Sequence, residues 1–375
     1  MTSYLLYLAS VVGVYTLFSW GLNLQWGYGG LLNFGHGAFM IVGAYTTVLL
    51  NLRGVPIVLA VVGGMVGGAA LGGLMGITTL RLRQDYLGIV TIGFAEALRL
   101  VAVNEAWLTQ GTQGIVGFDR PLQGAAFEPN LLLRLALIGA WTVLSGVCLQ
   151  GLFQWFRQAH RRGSPLQSWG LLLLWGGLGL GLYCATTYAL YYYTWVPGYR
   201  RAGLLLLLLG ALVAVHRLIT TALDSPWGRI VKAIREDEQV VTAVGKNVFS
   251  YKLQVLMVGG SIAALAGAFY SWHLGSVFPD NFKPQLTFDA WTIVVLGGAG
   301  HPLGPLLGSL LFWGYESLSR FGFTGWGDAR LEALRLVGVG MILIGLMRWR
   351  PQGVLGMEYS ANSARSPIDP PDPPD

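Results

Sequence analysis

Charged residues are scarce in this sequence of 375 residues. Asp, Glu, Lys and Arg make up 11% of it, whereas soluble domains carry about 25%. A folded chain of this size needs more charge to cover a surface facing water, so the composition excludes a soluble globular protein. The net charge is +6, but the basic residues lie between apolar segments. That placement indicates contact with membrane lipid and does not indicate a nucleic-acid partner.

Cysteine is rare as well, since the chain contains only Cys148 and Cys184. Each lies within an apolar run, which excludes a secreted disulfide scaffold. Two histidines beside glycine, His36 and His301, have no Cys or carboxylate close to them in the sequence. We therefore predict no metal site.

Motifs for ATP binding and for hydrolytic catalysis are absent. The string closest to G-x-x-x-x-G-K-[ST] ends at Gly245-Lys246, but it has Val240 in place of the first Gly and Asn247 in place of Ser or Thr. Neither G-x-S-x-G nor H-E-x-x-H occurs. We expect a protein that is not an enzyme and that binds no cofactor.

Long apolar runs fill most of the chain. A helix needs about 20 apolar residues to cross the hydrocarbon core of a bilayer. Candidate segments lie near 4–23, 31–50, 55–79, 86–104, 131–152, 169–193, 203–222, 253–272, 286–300, 302–319 and 333–349. We predict an all-α polytopic membrane protein with about 9 to 11 transmembrane helices, some of them broken at glycines.

The chain divides into a transmembrane domain over 1–359 and a short tail. The tail, 360–375, is rich in Pro and Asp. It has too little apolar surface to form a core, so we predict that it is disordered.

Arginine-rich clusters predict the orientation of the chain. If the apolar segments alternate across the membrane, most of the clusters fall on one side, which the positive-inside rule makes cytoplasmic. The clusters on that side are Arg81 with Arg83, 157–162, 224–252, and Arg348 with Arg350. Arg200 and Arg201 are an exception, because they fall on the outer side. We predict a multi-pass protein of the cell membrane with a cytoplasmic C-terminus.

Glycine recurs at four-residue spacing in GGMVGGAALGGLMG, residues 63–76. Small residues at this spacing let a second helix approach closely within the bilayer. The spacing predicts close helix packing, and it occurs equally in channels, transporters and intramembrane enzymes.

Two glycine-rich stretches, 24–39 and 294–308, interrupt apolar runs. Broken helices free backbone groups, which must face protein or a water-filled path. We predict a substrate pathway formed by Asn33, Gly35, His36, Gly37, Gly298 and His301. A zwitterionic substrate needs donors for its carboxylate and acceptors for its ammonium, and helix ends provide both. The alternative is that the polar side chains only stabilise the kinks.

Two pairs of opposite charge fall within the apolar runs, Glu96 with Arg99 and Glu316 with Arg320. Charges inside a membrane are costly and therefore suggest function. Spacings of three and four residues also allow each pair to neutralise itself on one helix face.

The stretch 224–252 is long and charged, and its apolar residues recur at helical spacing. Asp224 or Ser225 before Pro226 is a good helix start, and Gly245 is a good stop. We predict a pair of amphipathic helices on the cytoplasmic face. They could rest on lipid, but the mixed charges around Arg235 favour docking to a protein partner.

This stretch resembles the cytoplasmic loop of branched-chain amino acid permeases of ATP-binding-cassette importers, the LivM-like family. The loop motif of that family is approximately G-R-x-x-x-A-I-R-E-D-E followed by a later Gly. The matching residues, expected to couple to the ATPase, are Gly228, Arg229, Ala233, Ile234, Arg235, Glu236, Asp237, Glu238 and Gly245. The residues Val240 to Thr242 depart from the family, which commonly has Ala there.

The resemblance continues in LRLRQDYLGIVTIGFAE at 80–96, VVLGGAGHPLGPLLG at 294–308 and RPQGVLG at 350–356. Residues of about 120–200 are the exception, because they add two apolar segments. This longer form, with its Pro-rich tail, resembles cyanobacterial neutral amino acid permease subunits of the NatD type.

The resemblance implies the fold of an importer permease and a set of partners. These partners are a second, LivH-like permease, two cytoplasmic ATP-binding subunits and an extracytoplasmic substrate-binding protein. The helix at 226–245 would sit in a groove of the ATPase, with Arg235 and Glu236 forming ion pairs to it. Two alternatives stay open: a permease for urea or short amides, and, in another class, an ion-coupled secondary transporter or channel.

Overall fold

A computed structural model describes residues 2–81, 84–121, 184, 187, 200–322, 328–349 and 352–355. Several sequence predictions lie outside these residues. They are the two extra spans near 131–152 and 169–193, the tail at 360–375, and the arginines at 83, 157–162 and 350.

The first part of the described chain is helical. Helix α1 (Thr2–Leu22) continues directly as a π-helix (Asn23–Tyr28), and α2 (Gly37–Leu52), α3 (Ile57–Thr79) and α4 (Gln84–Asn104) follow. A short α5 (Ala106–Thr109), a 3-10 turn (Gly111–Gln113) and strand β1 (Ile115–Val116) come next. The sequence analysis did not predict the π-helix. Because of it, the non-helical part of the first glycine-rich stretch covers only residues 29–36.

The second part begins with α6 (Arg200–Asp224), followed by the short helices α7 (Pro226–Glu236) and α8 (Glu238–Ala243). The long α9 (Val248–Leu274) leads to β2 (Ser276–Val277) and a 3-10 turn (Pro279–Phe282). Helices α10 (Pro284–Gly297), α11 (Gly304–Gly322) and α12 (Asp328–Trp349) complete the described chain.

Five of the described helices are long and apolar enough to cross a membrane. They lie at Leu6–Tyr28, Ile57–Thr79, Tyr86–Asn104, Gly203–Asp224 and Val248–Leu274. The Gly37–Leu52 helix is apolar but shorter. The chain is thus a multi-pass, all-α membrane protein, as the sequence predicts.

The core forms where α9 packs against α1, α2 and α3. Glycines make this packing possible: a Cβ atom on Gly68 would lie 2.5 Å from the Ala264 Cβ, and one on Gly72 would lie 2.7 Å from the Leu256 carbonyl oxygen. Both distances are too short for a side chain. The glycine spacing predicts that another helix packs closely against α3. In the structure this helix is α9, and α2 also packs against α3.

Two ends of the molecule can be distinguished along α9. Helices α7 and α8 lie at its first residue, whereas β2 follows its last and pairs antiparallel with β1. At the β end Arg99 makes the predicted ion pair with Glu96 (2.6 Å) and a second one with Asp280 (3.2 Å). Since α9 is 27 residues long, about 40 Å separates the two ends.

Candidate functional site

The first interruption of the helices contains a buried polar network centred on Gln25. Its Oε1 accepts a hydrogen bond from Asn33 Nδ2 (2.9 Å) and lies 3.1 Å from His36 Nδ1. Its Nε2 donates to the Leu256 carbonyl of α9 (3.2 Å). His36 Nε2 lies 3.0 Å from the Phe18 carbonyl of α1. The network ties the interruption to α1 and α9.

Side chains from three parts of the chain bind backbone N–H groups just before α2 and at its first residue. The backbone N–H of Phe34 donates to Thr91 Oγ1 (3.1 Å), that of Gly35 to Asn33 Oδ1 (2.9 Å), and that of Gly37 to Thr287 Oγ1 (3.0 Å). The bond to Gly37 satisfies one of the donors that the start of α2 leaves free, and the other two bonds fix the residues that precede the helix. In this conformation the same donors are not available to a carboxylate.

Glycine is required at position 35 by a close approach of two backbones. A Cβ atom there would lie 2.1 Å from the Thr91 carbonyl oxygen of α4. Thr91 thus contacts the interruption through its side chain and through its backbone.

The second interruption is the loop of residues 298–303 between α10 and α11. Gly298 (φ +109°) and Gly300 (φ +80°) adopt conformations that other residues rarely reach. The segment 352–355 closes the end of α10, because the N–H groups of Val354 and Leu355 donate to the carbonyls of Leu296 (3.1 Å) and Gly297 (3.0 Å). The last two carbonyls of this helix are therefore paired.

The two interruptions, far apart in the sequence, meet at Asn23. Its Nδ2 donates to the His301 carbonyl (3.0 Å), and its Oδ1 accepts from the Gly300 N–H (2.9 Å). Trp20 Nε1 donates to the Pro302 carbonyl (2.6 Å) close by. We call this contact between the π-helix and the 298–303 loop the junction.

An aromatic cluster lies beside the junction. The rings of Trp26 and Trp291 are 4.5 Å apart, and Phe34 lies 4.9 Å from Trp291 and 6.0 Å from Phe288. Phe288 is exposed. The cluster offers an apolar surface next to the polar network.

Helix α7 packs tightly onto the end of α6. Ser225 caps its amino end, and a Cβ atom on Gly228 would lie 2.3 Å from the Leu223 carbonyl oxygen. Val231 and Ile234 are buried beneath it. The predicted pair of amphipathic helices and the predicted start at Pro226 are confirmed.

Asp237 separates α7 from α8. The sequence analysis did not predict the position of this break. The extended backbone of Asp237 (φ −154°) ends α7, and its side chain accepts hydrogen bonds from the N–H groups of Gln239 (2.8 Å) and Val240 (3.2 Å). Aspartate favours this capping position because its carboxylate satisfies free donors of a helix start. Glu238 forms an ion pair with Lys252 of α9.

The comparisons with known proteins agree with this architecture. The family "Branched-chain amino acid transport system / permease component" matches residues 4–347. The chain belongs to this permease family.

Proteins similar to the permease are named as permeases of branched-chain amino acid transport. It is 31% identical to the high-affinity branched-chain amino acid transport system permease protein LivM of Escherichia coli strain K12, over 93% of this chain and 69% of the relative. A LivM of Salmonella typhimurium is 30% identical over the same shares, and a probable LivM of Methanocaldococcus jannaschii is 23% identical over 80% of this chain and 76% of the relative. These relatives are transport components and not enzymes. No solved structure matches the permease.

The predicted pathway residues of the permease gather at the two interruptions. Asn33 and His36 are fully buried and bonded within the chain. His301 Nδ1 accepts from the Leu303 N–H (3.2 Å), and Gly298 lies against Gly353. These contacts are those expected if the polar side chains stabilise the kinks, and contact with a substrate stays a prediction.

Sequence analysis missed several residues that hold these interruptions together. They are Asn23, Gln25, Thr91, Thr287 and Trp291, the last of which donates to the Asn33 carbonyl (3.2 Å). Asn23 and Gln25 carried a usable signal, because both are amides inside an otherwise apolar run. The threonines carried none, because threonine commonly bonds to its own helix backbone.

The predicted coupling residues of the permease divide into two groups. Gly228 and Ile234 pack inward, Asp237 caps α8 and Glu238 pairs with Lys252, as described above. Arg229, Ala233 and Glu236 are exposed, and Gly245 forms the turn after α8 with a φ of +77°. Arg235, also on α7, is exposed overall. Its Nη1 atom nevertheless donates a hydrogen bond to the Gly27 carbonyl of the π-helix.

Proposed function

We propose that this chain is the permease subunit of an ATP-binding-cassette importer that carries branched-chain or other neutral amino acids across the cell membrane. The observation that carries the proposal is the family match over residues 4–347. The names of the relatives support the substrate class, since each is a branched-chain amino acid permease.

The proposed energy source is a pair of separate ATP-binding subunits that dock on α7 and α8. An apolar surface supports this: Val240 is 59% and Val244 is 72% exposed, and both belong to the charged stretch 224–252 between two predicted spans. Glu236 and Ala233 are exposed on the adjoining helix. Exposed apolar side chains outside the membrane are typical of a protein interface.

The other proposed partners follow the family. They are a LivH-like second permease, an extracytoplasmic substrate-binding protein, and surrounding lipid. We propose that α7, α8 and the C-terminus face the cytoplasm. The likeness to the NatD type, with its extra spans and tail, also stays a proposal.

The test is ATP-dependent uptake by the complete transporter. The chain is expressed with its genomic neighbours, and uptake of labelled leucine, alanine and proline into proteoliposomes is measured with and without ATP. Labelled urea tests the alternative substrate. Uptake of amino acids that needs ATP supports the proposal. Uptake that is indifferent to ATP, or driven by an ion gradient, contradicts it.

A matched pair of variants tests the docking surface. Val240→Glu with Val244→Glu places charge on the apolar surface, and we expect the ATP-binding subunits to be lost on co-purification. Arg53→Ala, an exposed change after α2, is the control and should retain them. Retention of the subunits by the double variant would contradict docking at α8.

A further inference from the structure

Arg235 connects the surface of the permease to its interior. Its Nη1 donates to the carbonyl of Gly27, which belongs to the π-helix and not to the helix that carries Arg235. The stem of the side chain lies against Gly30, where an added Cβ atom would be 3.4 Å from Arg235 Cγ. A Cβ atom on Gly300 would lie 3.0 Å from the same Nη1. Arg235 therefore reaches both interruptions at once.

A second basic residue of α7 supports the same contact. Lys232 lies one turn before Arg235, and its Nζ is 5.9 Å from the centre of the Tyr28 ring, within the range of a cation–π interaction. Lys232 Nζ also donates to the Leu223 carbonyl at the end of α6 (3.3 Å). The face of α7 that carries both residues is thus fitted to the π-helix.

The contact continues from the π-helix to the second interruption. A Cβ atom on Gly27 would lie 2.1 Å from Asn23 Oδ1 and 2.6 Å from the Gly300 nitrogen. Asn23 in turn bonds to Gly300 and His301. A displacement of α7 that moves Gly27 must therefore move the junction, because these backbones have no space between them.

We propose that Arg235 is a positioning residue that transmits the movement of α7 to the junction, and that it is not an ATPase-docking residue. The proposal rests on the proposed function, since it needs an ATPase to move α7. Arginine suits the task because its planar guanidinium holds a charge-assisted hydrogen bond in a defined direction. The exposed residues Ala233, Glu236, Val240 and Val244 remain for docking.

The test compares Arg235→Ala with Lys246→Ala in the reconstituted complex. Lys246 is an exposed basic residue of the same loop, which makes it a matched control. For each variant we measure co-purified ATP-binding subunits, ATP-dependent uptake, and the ratio of ATP hydrolysis with and without substrate-loaded binding protein. For Arg235→Ala we expect the ATP-binding subunits to co-purify fully. We expect the ratio of ATP hydrolysis with and without loaded binding protein to fall towards unity. Uptake should fall about tenfold or more, because that factor corresponds to the loss of one charge-assisted hydrogen bond.

Arg235→Lys provides a second variant. It keeps the charge but not the planar donor, so we expect uptake between those of wild type and Arg235→Ala. Loss of the ATP-binding subunits from both Arg235 variants would overturn the proposal, because Arg235 would then belong to the docking surface. Uptake and stimulation equal to those of Lys246→Ala would also overturn it. Absence of ATP-dependent uptake in the wild type would instead contradict the proposed function.

Discussion

At the scale of single residues, amide side chains inside the membrane replace missing backbone bonds. Asn23 pairs an N–H and a carbonyl of the 298–303 loop, and Gln25 joins Asn33 to α9. Both residues are almost fully buried. A broken helix in lipid is stable only when its free backbone groups find such partners.

Asn23→Leu should destabilise the permease. The change leaves the Gly300 N–H buried without a partner, which costs about 1–3 kcal/mol. The His301 carbonyl loses one of two hydrogen bonds and keeps the one from the Gly304 N–H (3.1 Å). Thermal unfolding of the purified protein in detergent measures the effect. Asn104→Leu is the control, because Asn104 is exposed and bonds only to the Leu100 carbonyl of its own helix (2.8 Å). Equal stability of the two variants would contradict the role of Asn23.

At the scale of elements, one face of α3 is built for backbone contact. Gly64, Gly68, Gly72 and Gly76 are all buried. An added Cβ atom would lie 3.0 Å from a backbone oxygen of α2 at Gly64, and 2.7 Å from one of α9 at Gly68 and at Gly72, whereas the atom nearest to Gly76 belongs to the Leu253 side chain. Gly73, the neighbour of Gly72, faces away: an added Cβ atom there would be 3.8 Å from the nearest atom, Met257 Sδ. The close packing of α3 against α9 therefore requires glycine at position 72 but not at position 73.

Gly72→Ala and Gly73→Ala should change stability in opposite directions. The Cβ atom of Gly72→Ala would lie 2.7 Å from a backbone oxygen, so α3 and α9 must separate, at a cost of about 1–3 kcal/mol. Gly73→Ala has room, and alanine stabilises a helix by about 1 kcal/mol relative to glycine. Thermal midpoints in one detergent measure both. A midpoint of Gly72→Ala at or above wild type would show that the close packing is dispensable.

At the scale of the whole molecule, the described residues form two ends with different elements. One end holds α7, α8, both interruptions and the 352–355 segment, which bonds to the end of α10. The other holds the paired strands and the Arg99 ion pairs. The pairing of β1 with β2 places the loops after α4 and α9 on the same side, which agrees with the alternation of spans used in the sequence analysis.

Cysteine labelling in intact cells tests which end faces outwards. In a background with Cys148→Ser and Cys184→Ser, we expect a membrane-impermeant maleimide to label Gln113→Cys, which is exposed beside β1. Lys246→Cys should be labelled only after the cells are permeabilised. The reverse pattern would show that α7 and α8 lie outside, where a cytoplasmic ATPase cannot reach them.

Local patterns in the sequence were enough to predict the five described spans near 4–23, 55–79, 86–104, 203–222 and 253–272, the glycine contacts of α3, and the start of α7 at Pro226. Each depends on residues close together in the chain: the length of an apolar run, a four-residue spacing, or a capping residue. The Glu96–Arg99 pair was predictable for the same reason.

The junction could not be predicted in this way. Asn23 and Gly300 are separated by most of the chain, and Arg235 binds a carbonyl whose position depends on how α1, α6 and α9 pack. A hydrogen bond requires its two atoms within about 3 Å, and only the packing of distant helices brings these groups together. Composition and periodicity therefore determine which segments cross the membrane, while tertiary packing determines which interruptions meet and which charged side chains bind the backbone of another helix.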